Sequence, residues 1–396
     1  MGINNFNSLL RDICPHVFVP IPITRFCGKR VAIDGHNWMF INLSIAHKKN
    51  VNSTDVAVKD PDRGVTIKYW LAAALDFLCT WLAYGVTPVF VFDGEHPVEK
   101  NPTKQKRREK REAIINRLKE MREQVEKMDM LARDAKVVDE LRKLMCQDTY
   151  PSKDEVLLLK NLLEGIGIPC LQATGDAEQL CSMLCIEGKV EAVFSTDTDN
   201  FAYGCPLVLT EFTNSLYNSE NGERIHQVTS VSIKSVLEGL NMSFNKLLDL
   251  CILAGCDYNS SIPQVGIIRA YELMKKFPSI DAFPRLESNP DIIDHKACKC
   301  RLPDTNKGLP INYDVKLLNH VRCRELFQFK PSSELIVGLS ELNIRNNLSE
   351  TGRDLLSSLE LSRYLSRLVP LYKNLPTPSS ECIMKPPQIT KLVILP

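Results

Sequence analysis

Three short apolar runs in this chain each lead into aspartate, and no other feature limits the fold so tightly. "KRVAIDGHNWMF" carries residues 31–33 into Asp34, and "TPVFVFDGEHP" carries 89–92 into Asp93. "GKVEAVFSTDTDNFAYG" carries 190–195 towards Asp197 and Asp199. Runs this short, and this rich in Val, Ile and Phe, suit strands of a parallel sheet buried on both faces. In open sheets of that kind, ligands sit in the crevice beyond the carboxyl ends of the strands. The predicted fold class is therefore α/β, a mostly parallel central sheet flanked by helices, with aspartates along one edge. If the third strand runs on to Ser195, its two-residue repeat sends Asp197 and Asp199 to the same side.

Two further stretches add acid to that edge. "IGIPCLQATGDAEQLCSMLCIEGK" reads as a strand over 166–171, a turn at Thr174 and Gly175, and a helix opening with Asp176 and Glu178. Asp257, in "DLCILAGCDYNSS", follows an apolar helix capped by Gly255. Acidic residues in a first helical turn ordinarily complement free N–H groups, and a lone D-x-D ordinarily makes Asx turns. Here they add to aspartates already placed at the same edge. Asp34, Asp93, Asp176, Glu178, Asp197, Asp199 and Asp257 would converge with no obvious Lys or Arg in these stretches placed to neutralise them. Such a group needs counter-charge, and carboxylates without His or Cys select hard cations, Mg²⁺ or Mn²⁺. Seven carboxylates exceed the needs of one ion. Two ions suit in-line displacement at phosphorus.

Between Asp93 and Asp176 the chain turns basic. "VEKNPTKQKRREKREA" gathers Lys100, Lys104, Lys106, Arg107, Arg108, Lys110 and Arg111 around Glu109. A solvated helix face is the plain reading of such a run. Its start close to Asp93, however, places it beside the site. Lys100 and Arg107 are seven apart and share a face of a continuous helix, although Pro102 leaves Lys100 on the approach. Ile114, Leu118, Met121, Val125 and Met128 then form a narrow apolar seam. "YPSKDEV" ends that helix, and another is predicted over 154–165. The segment reads as a cap whose cations stabilise charge at a phosphodiester and track a phosphate backbone. Trp38 and Phe40 fall on a helix after Asp34; core packing is the plain reading, and base stacking the sharper one for Phe40.

A length of 396 residues allows one large α/β domain or two smaller ones. A net charge of +1 does not itself indicate nucleic acid. No stretch reads as a membrane span, no signal-peptide pattern opens the chain, and Phe6 stands where myristoylation requires Ser or Thr. No membrane partner is expected, and the 14 cysteines read as reduced, mostly buried thiols of an intracellular protein. His295, Cys298, Cys300, His320 and Cys323 include the residue types of a zinc site. Cys298 and Cys300 are spaced too tightly for one, and His320/Cys323 lacks a CxxC partner, so structural zinc is not expected.

Taken together, "MGI", "VAIDG", "VFDG", "GDAEQ", "STDTDNFAYG", "DLCILAGCDY" and "SIPQVGIIRAYELM" resemble the flap endonuclease (XPG-type) family of structure-specific 5′ nucleases. The resemblance implies a 5′ nuclease (PIN-like) core over 1–280. It divides into an N-terminal part at 1–94, a basic helical arch at 95–165, an internal part at 166–257 and a helix-two-turn-helix element at 258–280. Residues 281–396 are left as a helical extension with a Pro-rich tail. It further implies that Asp34, Asp93, Asp176 and Glu178 serve one Mg²⁺, and Asp197, Asp199 and Asp257 a second, with Mn²⁺ able to substitute. Asp34, Asp93, Lys100 and Arg107 are implied as catalytic, the last two at the scissile phosphate. Gly2, Phe40, Lys104, Lys106, Arg108, Lys110, Arg111, Gly266 and Arg269 are implied DNA contacts.

The chain departs from the family in two places. Asp176 stands where the family usually has Glu, and Gln264-Val-Gly266-Ile-Ile-Arg269-Ala has lost a glycine of the duplex-gripping turn. No sliding-clamp motif is recognisable, since "PQITKLVILP" lacks an aromatic pair. The expected partner is branched or 5′-ended DNA. The expected setting is a monomer in the nucleus or at a viral replication site, as a divergent or viral member. Two alternatives remain at this stage: a DNA-binding replication or repair scaffold, and a haloacid-dehalogenase-like phosphotransferase built on "VFSTDTDN".

Overall fold

Alternate residues of the apolar runs face opposite sides of one sheet, and that alternation organises the molecule. The computed structural model describes residues 2–128, 134–218, 224–259, 262, 265–283, 299–302, 311–314, 318–328, 339–345 and 348–373. The strands are β1 (Val19–Pro22), β2 (Arg30–Asp34), β3 (Thr87–Phe92), β4 (Cys170–Gln172), β5 (Ala192–Phe194), β6 (Leu207–Asn218) and β7 (Arg224–Ser232). They lie in the order β1-β7-β6-β5-β2-β3-β4. β4, β3, β2, β5 and β6 are mutually parallel, and β7 runs antiparallel to both β6 and β1. Val31, Ile33, Phe90 and Phe92 join one core, while Ala32 and Val91, lying between them in sequence, join the other. Both faces are therefore buried, as the unbroken apolar runs predicted.

Helices α1 (Phe6–Ile13), α7 (Ala177–Ile186), α9 (Ile233–Leu240), α10 (Phe244–Ala254) and α11 (Ile267–Lys276) bury their apolar residues on the Ala32–Val91 side. Helices α2 (Gly35–Ser53), α3 (Arg63–Ala83) and α6 (Lys153–Gly165) cover the other side. The expectation that no stretch could span a bilayer needs correction. α3 has the length and hydropathy of a span, with 56% of the relevant window buried. Its apolarity has a structural cause, because Trp70, Leu71, Leu75, Leu78 and Trp81 all sit in the second core. The buried face of this helix is apolar because it meets protein and not water.

The helical segment after Asp93 divides by packing. The seam helix α4 (Asn101–Lys127) stops earlier than expected, and α5 (Ala135–Gln147) begins after Asp134, whose side chain accepts the Lys136 amide. Met121 and Val125 of α4 meet Leu141 and Met145 of α5 and Val51 of α2 in a small separate cluster. The next helix, α6, instead lays Leu159, Leu162 and Leu163 into the core beside the sheet.

Among the described residues of the C-terminal region are the short helices α12 (His320–Phe327), α13 (Glu350–Ser358) and α14 (Leu365–Lys373). The last two close over α3 and α6, with Leu356, Leu361, Tyr364 and Leu368 in that core. The approach is close. A Cβ on Gly352 would lie 2.3 Å from the carbonyl oxygen of Gly165. A small hairpin, β8 (Lys299–Leu302) with β9 (Ile311–Asp314), stands apart from the main sheet. Ten described cysteines are free thiols, eight of them buried. Cys27 departs from the all-reduced expectation and is disulfide-bonded; unlike most of the thiols it is not enclosed by the core.

Candidate functional site

Asp34 ends β2 and caps α2, accepting the Asn37 amide at 3.0 Å on Oδ1 and the Ser195 hydroxyl at 3.0 Å on Oδ2. Asp93 follows β3, and its Oδ1 accepts the Ala177 amide of α7 at 2.8 Å. Gly94 makes this approach possible, because a Cβ there would lie 2.0 Å from the Ala173 carbonyl oxygen. The 173–175 turn thus folds onto the end of β3 and delivers the start of α7. Asp93, Asp176 and Glu178 there place one ligand oxygen each within 4.8 Å of one another.

The second set arrives differently from the way the pleat predicted. β5 stops at Phe194, and Asp199 opens a short helix, α8 (Asp199–Ala202). Asp197 and Asp199 are brought together by a turn instead: the Asp197 amide donates to Ser195 Oγ at 3.0 Å, and the Asp199 amide to Asp197 Oδ1 at 3.2 Å. Gly2 packs against this turn with φ +83°. A Cβ on Gly2 would lie 2.0 Å from Asp197 Oδ1, so both its backbone and its neighbours require glycine. Asp257 comes from the loop after α10, whose C-cap is Gly255 at φ 95°. Asp34, Asp176, Asp197, Asp199 and Asp257 are all at least nine-tenths buried.

A cation does lie among these groups, supplied by the cap and not by the acidic stretches themselves. Lys100, in the turn before α4, is itself buried, with Nζ 3.0 Å from Asp176 Oδ1 and 3.5 Å from Asp257 Oδ2. Arg107 Nη2 lies 2.7 Å from Asp257 Oδ1. Burial opposes the Lys100 charge, but Glu178, Asp176 and Asp257 outweigh it and raise its pKa. The stretch-by-stretch count failed because the cation comes from the cap, seven residues beyond Asp93. One enclosed ammonium does not balance seven carboxylates. Burial pushes Asp34 up to about 7, with Asp93 adding to the shift. Burial and neighbouring acids push Glu178 and Asp199 well above the usual carboxylate range, and burial raises Asp197. Burial acts on Asp176 as well, but hydrogen bonds from His96 and Tyr258 and the Lys100 charge hold it below that range.

Two buried oxygens, Glu178 Oε2 and Asp199 Oδ1, have no hydrogen-bond partner among the described residues. An orphaned carboxylate oxygen in such a setting is costly unless a cation or proton meets it. The donor set is all oxygen at these positions, so the residues fit hard divalent cations of the Mg²⁺ kind.

Sequence reasoning overlooked four residues. His96 hydrogen-bonds Asp176, as does Tyr258 Oη at 2.7 Å, and Tyr258 is in turn bonded to Tyr203. His36 Nδ1 accepts the Asp93 amide at 3.0 Å. The histidines follow their aspartates by two and three residues, "DGH" and "DGEH", which was the available signal.

The remaining candidates are not at the carboxylates. Lys104, Lys106, Arg108, Lys110 and Arg111 are exposed on α4, and among the described residues none pairs with the seven acids. Arg108 meets Glu112 at 2.9 Å, and Arg111 lies over the Tyr150 ring at 4.4 Å. Trp38 is core, whereas Phe40 is half-buried with Tyr150 5.7 Å from its ring. Gly266 precedes α11 with open space around it, and Arg269 lies in that helix's first turn with Nε and Nη2 unpartnered among the described residues. His320 bonds Asp281 and Cys323 is buried, while His295, Cys298 and the Cys300 side chain lie outside the described residues. So does the "PQITKLVILP" tail.

Comparison with known proteins follows the same segments. The XPG N-terminal domain model matches residues 1–114, and the XPG I-region model matches 167–257. Flap endonuclease 1 of Lodderomyces elongisporus is 32% identical over 297 residues, covering 75% of this chain and 71% of that protein. Flap endonuclease 1 of Cryptosporidium muris is 29% identical over 332 residues, or 83% of this chain. The chain spans only 62% of that relative's length, and 61% of its Cryptosporidium parvum counterpart. Among solved structures, the flap endonuclease-1 from Methanococcus jannaschii aligns with TM-score 0.53 and 24% identity, over 90% of this chain and 97% of that one. The Holliday junction-resolving enzyme GEN1, solved with product DNA and a Mg²⁺ ion, aligns with TM-score 0.54 and 16% identity, over 93% and 78%. These two likenesses establish the 5′ nuclease fold.

Proposed function

The chain belongs to the XPG-type flap endonuclease family, and from that premise we propose that it is a divalent-metal-dependent, structure-specific 5′ nuclease. It hydrolyses phosphodiesters in 5′-flap or related branched DNA, inside the cell, in replication, repair or recombination. The observation that carries this reading is the buried crowd of carboxylates at one sheet edge, short of internal cations and with two oxygens left orphaned. Asp34, Asp93, Asp176 and Glu178 would hold one Mg²⁺, with Asp197, Asp199 and Asp257 holding a second, and Mn²⁺ would substitute. When bound, such ions supply Lewis-acid stabilisation of charge at phosphorus.

The chain's own residues do the rest. Asp34 and Asp93 are fixed by Ser195, Asn37 and Ala177 and need no rearrangement to receive a cation. Lys100 and Arg107 reach the same acids from the cap and would turn to the scissile phosphate when cations take over the carboxylates. Phe40 offers a ring to an unpaired base. Lys104, Lys106, Arg108, Lys110 and Arg111 give the cap a salt-sensitive hold on a passing strand. Residues 95–128 and 134–150 belong to that cap, and Gly266 with Arg269 offers a contact to duplex phosphate.

The test is incubation with labelled 5′-flap, bubble, nicked, blunt and four-way DNA in Mg²⁺. Incision of a branched substrate near its 5′ end, abolished by chelator, is expected. Failure to cut every substrate at low salt would overturn the reading.

A further inference from the structure

We propose that α12, which lies beyond the residues matched by either family model, is a positioning element of the carboxylate site. It holds Asp176 from behind and the Lys100 turn from the side. The purpose assigned to it rests on the nuclease reading above. α12 is rigidly seated: Arg324 bonds both oxygens of the buried Asp249 on α10, at 2.7 and 2.8 Å, and reaches Asp281 at 2.7 Å. A bidentate, charge-assisted pair of this kind fixes a helix in rotation as well as place.

From that anchor α12 touches four segments around the site. Phe327 is buried edge-on against Tyr203 and Tyr258, with ring centroids 5.0 and 5.1 Å away. Tyr258 Oη donates to Asp176 Oδ2, so the wedge of Phe327 sets where that hydroxyl points. Arg322 Nε lies 2.7 Å from Glu99 Oε1, and Glu99 is the residue before Lys100. The Leu326 carbonyl accepts the side chain of Gln179, next to Glu178, at 3.3 Å. Just ahead of the helix, the Leu318 carbonyl accepts Asn259, two residues past Asp257, at 3.1 Å. Outer residues that orient metal ligands commonly change metal affinity or activity by tenfold or more.

The test measures Mn²⁺ binding by electron paramagnetic resonance, alongside single-turnover and KM measurements on 5′-flap DNA, with the full chain. Phe327→Leu, which keeps most of the apolar volume, should weaken Mn²⁺ binding by about three- to tenfold. Arg322→Glu should lower the single-turnover rate by a similar factor with KM unchanged. Arg322→Lys should recover part of the loss, and the swap Glu99→Arg with Arg322→Glu most of it. If wild type binds Mn²⁺ and both variants bind and cleave as well as it does, with only their melting temperature lowered, α12 is mere packing and the proposal falls. Absence of Mn²⁺ binding by wild type would remove the nuclease reading, and this inference with it.

Discussion

The two sides of the carboxylate cluster solve the same electrostatic problem in opposite ways. On the cap side, Asp176 and Asp257 share Lys100 and gain His96, Tyr258 and Arg107, so their charge is met from within the chain. On the sheet side, Asp34, Glu178, Asp197 and Asp199 have mostly backbone amides, one hydroxyl and each other, and their protons are held tightly. Burial is similar on the two sides, so burial alone does not decide the charge state; the identity of the neighbours does. The sheet side is the half that must import its counter-charge.

Neutralising one acid on each side exposes the difference most strongly. Asp199→Asn should reduce Mg²⁺-dependent cleavage by at least about 10³-fold. It should leave DNA affinity and the chelator-treated melting temperature intact or slightly raised, since it replaces a buried carboxyl that has no cation partner, and that burial already holds protonated, by a neutral amide. Asp176→Asn should also lose cleavage, but it deprives Lys100 of its nearer partner and should cost about 3–5 kcal/mol of stability. Equal melting temperatures for the two variants in chelator, measured by calorimetry, would erase the distinction.

Lys100→Ala comes next. The single-turnover rate should fall by about 10²-fold through loss of charge stabilisation at phosphate. Mn²⁺ should bind more tightly, because the cap-side acids lose their internal cation. Weaker Mn²⁺ binding would mean the ammonium organises the acids rather than competing for them.

The smallest effect is on pH dependence. With chelator present, a carboxyl raised to about 7, as Asp34 is, contributes stability that is complete below its ordinary pKa and is lost as pH rises through about 7. Asp176, held low, works in the other direction: its contribution is present above the ordinary range and disappears as pH falls through its depressed value. The melting temperature should therefore drop by several degrees between about pH 5 and about pH 8 in chelator, and Mg²⁺ should abolish the drop. A flat chelator profile would show that the sheet-side acids are already compensated.

Much of this was legible in the sequence because strand patterning is local. The 31–33 and 89–92 runs became β2 and β3, and their aspartates lie at the predicted edge. The pleat argument for Asp197 and Asp199 failed because β5 ends at Phe194, one residue short of the expected Ser195, although a Ser195-centred turn brings the pair together anyway. What could not be read was long-range. Tyr258 reaches Asp176 across 82 residues, and Arg322 reaches Glu99 across 223. No periodicity encodes such contacts. The apolarity of α3 was underestimated, since a helix whose broad face packs on protein can carry the length and hydropathy of one that crosses lipid.

The edge strand β1 has a consequence for how the molecule comes to exist. Its partner is β7, and the Ser230 hydroxyl bonds the Val19 carbonyl 211 residues away. On the ribosome, the first strand to emerge must wait unpaired while most of the polypeptide is synthesised. Contacts this distant in sequence make folding slow and leave an early segment open to sticking elsewhere. Completion of the sheet is thus a late event in the life of each new molecule.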